Sequence, residues 1–147
     1  MINDKNLAPV VLFAYNRPWH TEQTLNALMQ NELALESKLF IYCDGPKLNA
    51  DEDTLLKIDA VREIVRKKQW CKEVKIIESD LNKGLAGSII SGVTEVINRY
   101  GKLIVLEDDL VTSKFFLRSM NEALNFYEDD KRIFSIGGTN YLFPIPK

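Results

Sequence analysis

Hydrophobic residues along the chain follow two patterns, short continuous apolar runs and longer stretches with an apolar residue every three or four positions. Short apolar runs rich in β-branched and aromatic residues predict buried strands, and the longer spacing predicts amphipathic helices. The predicted strands are 9–14, 39–43, 74–78, 103–106 and 133–136. The predicted helices lie between them, over about 18–31, 51–68, 84–100 and 114–127. Such alternation predicts an α/β domain with a mostly parallel sheet of about five strands and right-handed crossovers.

Local signals set the expected ends of these helices. Asn16 is expected to cap the first helix, with Pro18 just inside its start. Thr112 or Ser113 is expected to cap the fourth helix, and Gly101 to stop the third. The segment 142–147 holds two prolines and is expected to pack loosely.

The fourth predicted strand runs from four apolar residues directly into Glu107, Asp108 and Asp109. Its apolar part predicts burial on both faces, where three acids cannot lie without a counter-charge, so they are expected at the strand's open carboxyl end. Strand alternation places Glu107 and Asp109 on one side and Asp108 on the other. Carboxylate oxygens suit Mg²⁺ or Mn²⁺ shared with a phosphate. A solvated acidic turn before the next helix explains the same triplet equally well.

Polar clusters follow four of the predicted strands, whereas the residues that precede the strands form no comparable clusters. The clusters are 15–17, 44–45, 107–109 and 137–138. Parallel α/β sheets bind ligands outside the carboxyl ends of their strands, where strand order reverses. The placement of these clusters therefore predicts a ligand site at this edge of the sheet.

Composition narrows the function classes. The chain has 147 residues, 46% of them hydrophobic, and 19 basic against 21 acidic residues give a net charge of −2, so no basic field attracts nucleic acid or anionic lipid. Cys43 and Cys71 lack a metal-ligand spacing, and Cys43 is expected to be a reduced core thiol. The lone His20 cannot anchor a multi-histidine metal site. No apolar run approaches about 18 residues and residues 1–5 do not resemble a signal peptide, so we expect no transmembrane segment and a cytoplasmic location.

Several phosphate-binding motifs are absent from the sequence. It contains neither a P-loop nor the Gly-x-Gly-x-x-Gly fingerprint after the first strand. A receiver domain would carry its acidic pair where Tyr15, Asn16 and Arg17 stand. The segment 84–88 could approach a phosphate at a helix start or form a plain turn. A nucleoside diphosphate could lie across the polar corner after the first two strands, the Lys83-Gly84 helix start and the carboxylates. A metal bridging its phosphates would stabilise the departing diphosphate.

The order of these motifs resembles the nucleotide-binding half of GT-A-fold glycosyltransferases of the family 2 type. The resemblance rests on segments 10–18, 42–45, 82–86 and 106–110, and it covers nearly the whole chain. The Glu107-Asp108-Asp109 form of the family's Asp-x-Asp motif is similar to that of N-acetylglucosaminyltransferase I and its bacterial relatives. The resemblance implies a three-layer sandwich with a Rossmann-like sheet, in which the first strand lies beside the fourth and Tyr15 faces Asp109 across the cleft.

The resemblance also implies roles for individual residues. The nucleotide-binding residues would be Tyr15, Asn16, Arg17, Asp44, Lys83, Gly84 and Asp108. Asp109, with Glu107, would bind Mn²⁺ or Mg²⁺, and the donor would be a nucleoside-diphosphate sugar, with UDP favoured. Each role has a plainer alternative: Arg17 pairs with a surface acid, Asp44 only shapes its turn, and Lys83 is merely solvated.

The resemblance further implies that the acceptor site and catalytic base of such an enzyme follow the fifth strand, beyond Lys147. Residues 1–147 are therefore expected to form one donor-binding domain, with no catalytic residue assigned and transfer to a saccharide acceptor weak or absent in isolation. A non-catalytic nucleotide-sugar-binding module stays open beside this hypothesis. A nucleotidyltransferase is disfavoured because segment 14–18 lacks a glycine- and basic-rich loop.

Overall fold

The computed structural model describes residues 7–138, so the predictions for residues 1–5 and for the tail 142–147 lie outside the described residues. Four strands alternate with four helices. In chain order they are β1 (Val10–Ala14), α1 (Pro18–Met29), β2 (Lys38–Cys43), α2 (Glu52–Arg66), β3 (Glu73–Glu78), α3 (Gly84–Tyr100), β4 (Ile104–Glu107) and α4 (Phe116–Phe126). Across the described range, no helix has both the length and the apolar content that crossing a membrane requires.

The four strands form one parallel sheet in the order β3-β2-β1-β4. Both the parallel sheet and the placement of the first strand beside the fourth are as predicted. Ala14 lies opposite Cys43, and Phe13 lies opposite Glu107. Because parallel strands all end at the same edge, the segments that follow β1, β2 and β4 converge there.

Helices cover both faces of the sheet and make a three-layer arrangement. On one face, α1, α2 and α4 enclose the larger core, which contains Leu25, Val61 and Leu117 together with alternate residues of the strands. On the other face, α3 packs Val96 against the second core. Every residue of β1 is buried, as expected for a central strand with helices on both sides.

Strand β4 is buried on one face only, which corrects the prediction of burial on both. Ile104 and Leu106 point into the larger core, whereas Val105 is 42% exposed. The second core includes Val11 on the neighbouring strand but not Val105. The apolar run therefore overstated the burial of β4 because α3 lies over β1 and β2 rather than over the sheet edge.

The predicted fifth strand, 133–136, does not form in the structure. Ile133 closes a turn by donating its backbone N–H to the carbonyl of Asp130 at 2.9 Å, and the side chain of Phe134 is fully exposed. A strand requires a neighbouring backbone to pair with, and this four-residue run is unpaired where the structure describes it. The apolar run is typical of a strand, but no neighbouring strand pairs with it among the described residues.

Two predicted helix caps are wrong, and one helix stop is confirmed. Helix α1 has Arg17 rather than Asn16 at its N-cap, and α4 has Phe115 rather than Thr112 or Ser113. Gly101 ends α3 in the left-handed conformation, with φ of 76°. The first turn of α4 is stabilised from a distance instead, because the backbone N–H of Leu117 donates to the side-chain oxygen of Asn31 at 3.0 Å.

Candidate functional site

A cleft of about 340 Å³ opens at the carboxyl edge of the sheet, where polar segments were predicted to meet. It is bounded by the segments that follow β1, β2 and β4 and by the first turns of α3. Its lining residues are Phe13, Ala14, Tyr15, Asn16, Arg17, Tyr42, Asp44, Lys47, Asn82, Gly84, Leu85, Ser88, Glu107 and Asp108. The volume is within the usual range for a small-molecule or cofactor site.

One wall of the cleft is organised by the buried carboxylate of Asp44. Its Oδ1 accepts the backbone N–H of Gly45 at 2.9 Å and that of Lys83 at 2.8 Å. Its Oδ2 accepts the side-chain amide of Asn82 at 3.1 Å. The carboxylate thus ties the end of β2 to the start of α3, and Oδ2, with one bonded donor, retains acceptor capacity in a residue that lines the cleft. Both the turn-shaping role and a ligand role are compatible with this geometry.

Gly45 allows the same wall to close at backbone distance. A Cβ placed on Gly45 would lie 2.6 Å from the backbone N and C atoms of Leu81 and 2.7 Å from the carbonyl oxygen of Ser79. No side chain fits there, since backbone atoms cannot give way as a flexible side chain can. The loop after β2 and the segment before α3 therefore form one continuous surface.

The strand does not continue through the three acids, as the predicted alternation of their side chains required. Strand β4 ends at Glu107, and a turn follows in which the backbone N–H of Leu110 donates to the carbonyl of Glu107 at 3.4 Å. Strand alternation therefore does not extend to Asp109, and the predicted pairing of Glu107 with Asp109 on one side is not the arrangement observed. Glu107 and Asp108 line the cleft instead, and Asp109 lies outside its lining.

Arg17 supplies the counter-charge that the acidic segment requires. One terminal nitrogen of its guanidinium donates to Oδ1 of Asp108, and the other donates to Oδ2 of Asp109 at 2.9 Å. The side chain of Asp108 is only 3% exposed, whereas those of Asp109 and Arg17 are 40% and 44% exposed. Thr24 on α1 also donates its hydroxyl to the backbone carbonyl of Asp108 at 3.0 Å. Helix α1 therefore fixes the acidic turn by two separate contacts.

Burial and charge act in opposite directions on this group. Desolvation raises the pKa of Asp108, while the charge and hydrogen bond of Arg17 and the backbone N–H of Tyr15 lower it without fully compensating. Desolvation lowers the pKa of Arg17, but Asp108 and Asp109 together outweigh it and raise that pKa. Desolvation of the charged form therefore falls mainly on the carboxylate of Asp108, while the better solvated guanidinium of Arg17 keeps its charge without a comparable desolvation penalty.

The carboxylates of the turn have the donor chemistry for Mg²⁺ or Mn²⁺ but do not form a complete ligand set. Within residues 7–138, no group of three or more His, Cys, Asp or Glu side chains converges on a metal position. Mg²⁺ is commonly held by one or two carboxylates, with the phosphates of a substrate completing the shell. Glu107 lines the cleft and Asp109 is engaged by Arg17, so these two predicted ligands would hold such a cation together with substrate phosphates, and only once Arg17 gives up Asp109.

The cleft brings together seven of the nine residues that were predicted to bind the nucleotide or the metal. Lys83 and Asp109 do not line it. The backbone N–H of Lys83 supports Asp44, and the residue borders a smaller neighbouring recess. Asp109 borders the site through its bond to Arg17, which does line the cleft, and its placement opposite Tyr15 stays a prediction. Two of the plainer alternatives have support in the structure: Arg17 pairs with Asp108 and Asp109, and Asp44 bonds to the backbone of its own turn at Gly45.

Sequence reasoning missed several cleft residues. Lys47 follows the turn after β2 and was not singled out. Ser88 lies one helical turn after Gly84 on α3, in the segment 84–88 that was considered for phosphate contact, but it was given no role of its own. Phe13 and Tyr42 contribute stacked rings with centroids 5.5 Å apart. Their apolar strand positions suggested core alone. The usable signal was the i, i+4 spacing of Gly84 and Ser88, which places both on one helix face.

Comparison with known proteins gives a match at the level of fold. No family model and no curated protein matches the chain. Among solved structures, the chain is similar to S. aureus TarS, a glycosyltransferase, with a TM-score of 0.51 and 14% sequence identity. The match covers 83% of this chain and 20% of TarS, so the chain spans about one fifth of that protein's length. At this identity the likeness concerns architecture alone: the chain shares an α/β fold with that part of TarS.

Proposed function

We propose that the chain is the donor-binding domain of a metal-dependent glycosyltransferase. It binds a nucleoside-diphosphate sugar, with UDP as the favoured nucleotide, and the sugar passes to a saccharide acceptor. The GT-A subtype, the cytoplasmic location and the extent of the domain stay predictions from the sequence. No residue between 7 and 138 is assigned as catalytic base.

The observation that carries the proposal is the composition of the cleft. Groups suited to a base and ribose, Tyr15, Asn16 and Asp44, lie at the ends of β1 and β2, while Glu107 and Asp108 lie at the end of the adjacent β4. A nucleotide diphosphate is a ligand with an aromatic, hydrogen-bonding end and an anionic end. The cleft offers groups for the base and ribose at the ends of β1 and β2, and at the end of β4 it offers carboxylates that a divalent cation would join to the diphosphate, in a fold shared with a glycosyltransferase.

The charges around the cleft explain why a divalent cation belongs to the proposal. Arg17 pairs with Asp108 and Asp109, and Glu107 adds a third carboxylate to the same segment, so the excess of negative charge there would repel a diphosphate. The chemistry that Mn²⁺ or Mg²⁺ supplies at such a site is neutralisation of that repulsion and stabilisation of the departing diphosphate. Arg17 and Lys47 add positive charge that can orient the phosphates.

Thermal-shift titration tests the binding half of the proposal. The chain is titrated with UDP, GDP and dTDP, with and without Mn²⁺. We expect one nucleotide, UDP, to raise the melting temperature in a concentration-dependent and Mn²⁺-dependent way, because a ligand of the folded state stabilises it by mass action. Absence of stabilisation by all three nucleotides would contradict the proposal.

The variant Asp109→Ala tests the metal within the same experiment. Asp109 is exposed and contributes little to packing, so we expect the fold to persist while the Mn²⁺ dependence is lost. Asp59→Ala, which removes an exposed acid from α2, is the matched control and should retain the full response. An unchanged Mn²⁺ response in Asp109→Ala would remove Asp109 from the site. Release of UDP from a UDP-sugar would separate an enzyme from a binding module, which binds without turnover.

A further inference from the structure

We infer that Arg17 serves as the counter-charge of the acidic turn, residues 107–110, when no metal is bound. A divalent cation must displace the guanidinium of Arg17 from Asp109, and the displaced guanidinium then binds the diphosphate of the nucleotide sugar. The inference rests on the proposed function. It assigns Arg17 a second role beside contact with the nucleotide, namely control of when the acidic turn is open to metal.

The geometry of the guanidinium carries the first step. Two different terminal nitrogens of Arg17 donate to two adjacent carboxylates, one bond to Asp108 and one of 2.9 Å to Asp109. Both acids are therefore already neutralised in part by a fixed positive charge. A cation that uses the same oxygen of Asp109 competes directly with Arg17 and meets its repulsion.

The two halves of this bridge differ in how readily they open. The bond to Asp108 is sheltered, since that side chain is 3% exposed, and breaking it would leave a buried charge without a partner. The bond to Asp109 joins two side chains that are both at least 40% exposed, and water can replace it at little cost. Exchange is therefore expected at Asp109 while the backbone of the turn stays in place.

The position of Arg17 allows the guanidinium nitrogen released from Asp109 to bind a ligand in the cleft. Arg17 lines the cleft that we assign to the nucleotide. Guanidinium groups bind phosphate oxygens in a bidentate manner, so a diphosphate in the cleft offers Arg17 a replacement for Asp109. Metal alone should then bind weakly, because nothing compensates the displaced arginine. Metal together with a diphosphate should bind well.

The test measures Mn²⁺ affinity without nucleotide, by the electron paramagnetic resonance signal of free Mn²⁺. The variant Arg17→Met keeps side-chain length and removes the charge. We expect it to bind Mn²⁺ about tenfold more tightly than the wild type, or better. Arg118→Met is the matched control, because Arg118 also bridges one acid, Glu32 at 2.6 Å, on an exposed surface, and it should leave Mn²⁺ affinity unchanged. A purely structural arginine predicts the opposite sign, since its loss would disorder the turn and weaken metal binding.

A second pair of variants covers the case in which Arg17→Met does not fold. Asp108→Asn is compared with the double variant Arg17→Met/Asp108→Asn, in which the buried carboxylate and its partner are both neutral. We expect the double variant to bind Mn²⁺ more tightly than the single one, because Asp109 is then free of Arg17. Equal or weaker affinity in both comparisons would overturn the inference.

Mn²⁺ binding in the presence of UDP separates this inference from the proposed function. If wild-type protein binds Mn²⁺ with UDP but Arg17→Met gains no affinity without it, the proposed function stands and the competition is refuted. If wild type and every variant fail to bind Mn²⁺ with or without UDP, both are overturned. Tight nucleotide-free binding in Arg17→Met, with weak binding in wild type, supports the inference.

Discussion

At the scale of single residues, the ion pair in the acidic turn joins a buried carboxylate to a partly exposed arginine. Asp108 is buried and needs its partner, whereas Arg17 is nearly half exposed and can turn to water or to Asp109. The sequence indicated that acids at 107–109 need a counter-charge. It could not indicate which cation supplies it, because Arg17 is 91 residues away from Asp108 and meets it only through the β1-β4 pairing.

This asymmetry predicts that the two halves of the pair differ in their effect on stability. Arg17→Met leaves a buried carboxylate unpaired and should lower the free energy of unfolding by about 3 kcal/mol or more. Asp108→Asn leaves a solvated arginine and an amide that can still accept from Tyr15, and should lower it by about 1 kcal/mol. Urea unfolding at pH 7 measures both, and equal losses would contradict the assignment of the cost to Asp108.

The same pair predicts the direction of the pH dependence. Burial already raises the pKa of Asp108, and loss of Arg17 removes an influence that lowers it. A carboxyl whose pKa is higher in the folded than in the unfolded state binds its proton more tightly when folded, so its stabilising effect grows as pH falls. The stability deficit of Arg17→Met relative to wild type should therefore shrink between pH 7 and pH 5. A deficit that is constant or grows would show that Asp108 is not the group responsible.

At the scale of elements, the ends of helices were harder to predict than their faces. The helical spacing predicted one apolar face for each helix, and Leu25, Val61 and Leu117 lie on such faces in the core. The N-caps predicted for α1 and α4 were wrong. They were chosen from the local sequence, where residues able to cap a helix also occur at positions that do not. The side chain that supports α4 comes from Asn31, 86 positions before Leu117. No local pattern indicates such a cap.

Asn31→Ala should therefore be more harmful than removal of the residue that the sequence nominated as a cap. Asn31 is buried, accepts from the backbone N–H of Leu117, and donates to Thr112 at 3.0 Å. Its loss leaves a buried N–H without a partner and should lower the free energy of unfolding by about 2 kcal/mol. Asn16→Ala removes no helix cap and should change stability by less than about 0.5 kcal/mol. Similar losses in the two variants, measured by urea unfolding, would refute the long-range cap.

At the scale of the whole molecule, the polarity of a parallel sheet explains why so much of the site was predictable. Each crossover returns the chain so that every strand ends at one edge, and residues as distant as Tyr15, Asp44 and Glu107 meet in one cleft. What the sequence could not provide was the exact end of a strand. The chain turns directly after Glu107, and Asp109 is not among the residues that line the cleft. The expected strand at 133–136 has no pairing partner among the described residues and is not part of the sheet.

The most direct test of the central claim is a titration of the ¹⁵N-labelled chain with UDP and Mg²⁺, followed by amide chemical shifts in two-dimensional NMR. A diphosphate nucleotide in the cleft predicts the largest changes at 15–17, 44–47, 82–88 and 107–109, the segments at the carboxyl edge of the sheet. Amides at the opposite edge, where the strands begin at Val10, Lys38, Glu73 and Ile104, should change little. Changes concentrated at that opposite edge, or none at saturating UDP and Mg²⁺, would contradict the assignment of this cleft to a nucleotide donor.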